Sequence, residues 1–122
     1  MYVSSRGRSR PRGGVEGLRV ISLGRLREHW QRPGRGDSEQ PLKTWHDVAR
    51  KARWASHDDI KQDYGARVDL AHSRHVFDNA GNKYRVVCSI DFVRHGVLVL
   101  WVGTHAEYDE LNRQGGRKMQ RL

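Results

Sequence analysis

His105 and Arg85 are the side chains whose type and setting best suit chemistry. His105 stands in the run Thr104-His105-Ala106-Glu107-Tyr108-Asp109. A free imidazole titrates near pH ~6.5, so its acid and base forms both exist at cellular pH. Thr104 with Glu107 three residues on has the form of a capping box, which predicts a helix starting here with His105 in its first turn. Unpaired backbone N–H groups at such a start favour a phosphate or another anion nearby. Arg85 lies in a run where Tyr84, Val86, Cys88, Ile90 and Phe92 alternate with Arg85, Val87, Ser89, Asp91 and Val93. That is the period of a pleated strand, so Arg85 is expected on the face opposite Tyr84, projecting into an open concave surface. A planar guanidinium there suits two-point phosphate contact. Lys83 shares its parity, and Arg74 on the neighbouring strand adds charge; the plainer alternative is a solvated strand face. Tyr108 can hydrogen-bond a phosphate, stack on a base or pack against the sheet. Glu107 reads as a cap, and Asp109 as a carboxylate able to orient His105 or Arg85.

The elements that must position these residues lie between Arg74 and Asp109, read as three strands feeding one short helix. Asn79-Ala80-Gly81-Asn82 before the central run and Arg94-His95-Gly96 after it tolerate positive φ, which predicts tight antiparallel turns. Val97 to Val102 is apolar on both faces, as a strand covered on both sides would be. Upstream, Leu18 to Ser22 has strand character, and Ser22 can cap a helix to about Gln31 that Pro33-Gly34 ends. Arg32 to Gln40 is a polar loop. Pro41 suits the first turn of a second helix with Leu42, Trp45, Val48, Ala49 and Ala52 as its apolar stripe. Ser56 and Asp59 signal a third helix over His57 to Asp63, stopped by Gly65, and Arg67 to Leu70 is a weak strand or loop. Helical and strand periods assign the tryptophans to packing. His72 and His75 point to opposite faces of an extended segment, so no metal site is expected.

Charge is distributed unevenly along the chain. The net charge is +9, made of +3 on residues 1–17, +2 on residues 18–112 and +4 on residues 113–122. A basic protein with charged tails is drawn to nucleic acid through counterion release alone. There is no apolar run of spanning length, signal-peptide core or basic amphipathic helix, so no membrane association is expected. The single cysteine, Cys88, falls on the predicted core face and points to a reducing, cytoplasmic setting.

Together RVIS at 19–22, the tryptophan-spaced stretch from Trp45 to Trp54, DDIK at 58–61, HVFDNAGNKYRVV at 75–87 and GTHAEYD at 103–109 make the sequence resemble HigB-type toxins of the RelE and ParE-like group. The resemblance covers most of residues 18–112. It implies an α+β fold, a RelE/ParE-like curved antiparallel sheet with helices packed on one face and a short C-terminal helix. Residues 1–17 become a basic flexible extension, 18–112 the toxin domain and 113–122 a basic tail. It implies a type II toxin that cuts messenger RNA on the translating ribosome, silenced by a cognate HigA-type helix-turn-helix antitoxin, with operator DNA met only through the antitoxin complex. One departure is Asp78, where the family often has Asn; its charge opposes phosphate unless an Arg pairs with it.

Metal-independent RNA cleavage needs attack of a 2′-oxygen on the adjacent phosphate, a proton acceptor, a proton donor and a cation for the phosphoryl oxygens. In this reading Arg85, His105 and Tyr108 are catalytic, Arg74, Lys83 and Asn82 bind substrate, Asp109 supports, and neither metal nor cofactor takes part. The alternative function is a non-catalytic toxin or binding module of the same fold, acting by protein or RNA binding.

Overall fold

The computed structural model describes residues 19–21 and 23–122. The expected basic extension at 1–17 and the cap at Ser22 therefore lie outside the described residues.

Arg19–Ile21 form β1 and Leu23–Trp30 form α1. A 3-10 turn at Gly36–Ser38 leads into α2, Glu39–Lys51, and then α3, His57–Tyr64. Past a second such turn at Gly65–Arg67 come β2, Val68–Ala71, β3, Arg74–Asn79, β4, Tyr84–Asp91, and β5, Gly96–Thr104. The chain closes with α4, His105–Arg113, and α5, Gly116–Gln120. The sheet order is β1-β5-β4-β3-β2; β2 to β5 run as an antiparallel meander, and β1 lies parallel to β5. This is the expected α+β architecture.

The turns explain the meander. Ala80 at φ 53° and Gly81 at φ 68° take the left-handed backbone that the β3–β4 connection needs, and His95 at φ 57° does so between β4 and β5. The β2–β3 hairpin turns through His72 and Ser73, also at positive φ. The segment from His72 to His75, expected to be extended, is thus broken by this turn, and the weak strand or loop read at Arg67 to Leu70 is the strand that precedes it. Ser56 makes no capping hydrogen bond at the start of α3; Asp59 Oδ2 instead accepts the Ala55 N–H at 2.8 Å.

Helices α1 to α3 cover one face of the sheet. Leu42, Trp45 and Ala49, at helical spacing along α2, are buried with Leu26, Trp54 and Ile60 against Phe77, Val86, Cys88, Val97 and Val99. Phe77 sits at the centre, its ring 5.0 Å from Tyr64 and 5.4 Å from Trp45. Burying a side chain of this size stabilises the fold by about 2–3 kcal/mol. The other face is covered as well. Val76, Val87, Leu111 and Met119 form a second cluster there, flanked by Trp101 and Tyr108. Residues 113–122, expected as a tail, thus contribute a helix whose Met119 is fully buried. In β5 the ladder slips: Val87 faces Trp101 while Cys88 faces Val99, which leaves Leu100 as an extra residue. The bulge leaves Trp101 on the second face and Val102 on the helical one, while Leu98 stays exposed, so the strand expected to be covered on both sides is covered only in part on the second.

Two imidazoles are buried in this fold. Burial first, then nearby Arg35, holds His29 down at about 4, and burial with His57 holds His75 at about 4 as well. Unfolding lets each take up a proton below pH 6.5, while the folded rings stay neutral until about pH 4. Stability is therefore complete above pH 6.5 and drains as pH falls, by at most on the order of 3 kcal/mol per ring. Urea unfolding at pH 7.0 and 5.0 should show this loss, and His75→Leu should flatten the slope. An equal midpoint at both pH values would refute it.

Candidate functional site

Arg85 leaves β4 on the face that α4 and α5 cover, and it is only 7% exposed. The open concave surface expected around it is absent, because Leu111 and Met119 bring the two C-terminal helices down on that side. Its guanidinium has five N–H donors, and each of its three nitrogens has a partner. Nε pairs with Asp78 Oδ1 at 3.0 Å, from the residue directly opposite on β3. Nη1 donates to Asn82 O at 3.1 Å and Tyr84 O at 3.2 Å. Nη2 donates to Asn82 Oδ1 at 2.7 Å and meets His105 Nδ1 at 3.2 Å. A phosphate can reach this fork only by displacing one of these partners. Asp78, the departure noted in the sequence, is thus paired, although burial still pushes its carboxyl above the ordinary value against the pull of Arg85.

His105 opens α4, behind the capping box read from sequence. Thr104 Oγ1 accepts the Glu107 N–H at 3.1 Å, and Glu107 Oε1 accepts the Thr104 N–H at 2.9 Å. Gly103, opposite Arg85 in the ladder, completes the GTHAEYD run for a steric reason. A Cβ there would stand 2.8 Å from Glu107 Oε1 and against the Trp101 ring. One turn on, Asp109 Oδ2 lies 3.1 Å from His105 Nε2. These two contacts select one neutral tautomer: Nδ1 accepts from Arg85, and Nε2 carries the hydrogen toward Asp109. With side chains 43% and 63% exposed, His105 and Asp109 form the solvent edge of the cluster.

The other expected site residues divide. Asn82 belongs to the cluster: its Oδ1 accepts from Arg85 Nη2 at 2.7 Å, which fixes the orientation of its amide. Tyr108 packs in the second core beside Trp101, with ring centres 6.3 Å apart, and burial raises its phenol, so it remains a proton donor at neutral pH. Lys83 turns away, its ammonium pairing with Asp37. A flexible stem carries this charge to a nearby carboxylate whatever the strand parity suggests. Arg74 is engaged elsewhere too, donating to Met119 O at 3.4 Å and Gln120 O at 3.1 Å, where it caps the C-terminal end of α5. It sits four residues, roughly 13 Å, along β3 from Asp78. His75 meets His57 at 3.1 Å, not His72, and among the described residues no three His, Cys, Asp or Glu side chains gather in a way that could hold a metal.

Sequence reading passed over Arg35. This residue of the polar loop forms a two-point ion pair with Glu107, 3.2 Å to Oε1 and 3.0 Å to Oε2. That contact, against the upward push of burial, holds the Glu107 carboxyl down at about 2. The two residues are 72 positions apart, and nothing local in the chain signals their meeting.

A family model described as HigB_toxin, RelE-like toxic component of a toxin-antitoxin system, matches residues 38–111. The match takes in α2 to β5 and most of α4, with every residue of the Arg85 cluster. No curated protein matches the chain.

Proposed function

The chain belongs to the HigB toxin family, the RelE-like toxic components of toxin-antitoxin systems, and from that premise we propose that it is an endonuclease of ribosome-bound messenger RNA that works without a metal. Family membership implies an antitoxin partner; we propose one of the HigA helix-turn-helix type, with operator DNA reached only through the complex. The observation that carries the catalytic reading is the 3.2 Å contact between Arg85 Nη2 and His105 Nδ1.

With Nδ1 accepting from a guanidinium, Nε2 is the nitrogen that presents an N–H to the substrate. The 2′-oxygen attacks the adjacent phosphorus and the bond to the 5′-oxygen breaks, giving a 2′,3′-cyclic phosphate and a new 5′-hydroxyl end. The Asp109 carboxylate takes the 2′-hydroxyl proton, His105 Nε2–H hydrogen-bonds the departing 5′-oxygen, and that oxygen leaves with the proton that Asp109 gained, so both side chains end as they began. Asn82 Nδ2 and the Tyr108 hydroxyl donate to phosphoryl oxygens, and Arg85 supplies positive charge from behind. Two carboxylates stand against one guanidinium in the cluster, so attraction to RNA comes from elsewhere: the exposed Arg117, Lys118 and Arg121 and the overall excess of +9.

Purified ribosomes with a defined message should acquire new 5′ ends on addition of the protein, unchanged by EDTA beyond its effect on the ribosome alone. The exposed Lys83–Asp37 pair contributes little, so Lys83→Ala should cut within about threefold of the parent rate. Absence of new ends, with growth arrest retained in cells, would instead favour a non-catalytic toxin. The engaged guanidinium of Arg85 is the observation on that side, since a purely structural arginine would also have a partner at every nitrogen.

A further inference from the structure

Between α1 and α2 the chain makes contacts that reach both sides of His105. Arg35 holds both carboxylate oxygens of Glu107, and Glu107 is already tied to the Thr104 N–H. Two residues on, Asp37 Oδ1 accepts the Tyr84 hydroxyl at 2.6 Å, and its other oxygen pairs with Lys83. Tyr84 is the ladder partner of Thr104, and Lys83 O accepts the His105 backbone N–H at 2.9 Å. His105 thus lies between a residue pinned by Arg35 and a strand start pinned by Asp37.

We infer that Arg35, seconded by Asp37, forms a clasp that sets the angle at which α4 leaves β5 and so delivers His105 to Arg85; Arg35 is a positioning residue. The capping box fixes the first turn of α4 locally, but it leaves the direction of the helix relative to the sheet undetermined. A tilt of about 10° at Thr104 displaces the imidazole by about 1 Å, enough to lose a hydrogen bond at 3.2 Å. A planar fork on a carboxylate resists such a tilt because both N–H···O contacts must stretch together. The clasp is itself preorganised. His29, 3% exposed, accepts from Arg35 Nη1 through Nε2 at 3.1 Å and donates through Nδ1 to Ser38 Oγ at 3.0 Å. Ser38 Oγ in turn donates to Arg35 O at 2.7 Å. Arg35 and Asp37 both precede residue 38, so this support comes from a part of the chain that the family match does not include.

The inference rests on the proposed nuclease only for its activity arm. In the full chain, Arg35→Gln and Glu107→Gln are made singly and together; the glutamine at 107 can still accept the Thr104 N–H. Long-range nitrogen NMR of His105 above about pH 8 should show the Nε2–H tautomer alone in the parent and a mixture in each variant. The single-turnover cleavage rate at saturating ribosome-bound message should fall about tenfold, with the double variant no slower than the slower single. Parent-like His105 nitrogen shifts in Arg35→Gln would overturn the clasp. If the tautomers mix but the parent cuts no message, the clasp stands and the nuclease reading fails. Should Arg35→Gln not fold, Arg35→Lys is read by the same spectra, since it keeps the charge and loses the second point of contact.

Discussion

Arg85→Ala is expected to melt at least about 10 °C below the parent chain and to cut ribosome-bound message at least about a hundredfold more slowly. The stability loss follows from what the guanidinium leaves behind. Asp78, with a side chain only 24% exposed, loses its counter-ion, while the carbonyls of Asn82 and Tyr84 and the Asn82 side chain lose their donors. Breaking a pair of this kind by removing one partner costs about 3 kcal/mol or more. The activity loss has a separate origin: His105 Nδ1 loses the donor that selects its tautomer, and Asn82 loses its orientation. Arg85→Lys should fall between, because one ammonium cannot meet acceptors spread around a planar fork. Thermal melting and primer extension on the same preparations decide the matter. Parent-like cleavage by Arg85→Ala would remove it from the mechanism, whatever happens to the melt.

His105→Gln should separate the two effects. Its side chain is half exposed, and the helix start is held by Thr104, Glu107 and Arg35 without it. The melting temperature should stay within about 2 °C of the parent, as for surface changes away from caps and cores. Cleavage should fall by about a hundredfold or more, because a flexible glutamine amide, without the imidazole's two fixed contacts, does not hold an N–H at the departing 5′-oxygen. A melt lowered as far as that of Arg85→Ala would assign His105 to structure and leave the departing oxygen without its donor.

The sequence by itself determined those features that local physics dictates. Period-two apolar alternation from Tyr84 to Phe92, residues tolerant of positive φ at 79–82 and 94–96, and the Thr104–Glu107 box each constrain a few neighbouring residues, and all three elements stand where they were read. Of the apolar stripe read in α2, Leu42, Trp45 and Ala49 placed the helix on the sheet for the same reason, while Val48 is left exposed. Tertiary structure alone decided what depends on contacts between distant segments. Met119 and Leu111 closed the second face over Arg85, Asp37 drew Lys83 away, the ends of α5 took Arg74, and a loop 72 positions upstream took hold of Glu107. Long charged side chains have many rotamers and pair with whatever carboxylate or carbonyl the fold brings within reach. Strand parity fixes where such a side chain starts, and only the assembled chain fixes where its charge ends.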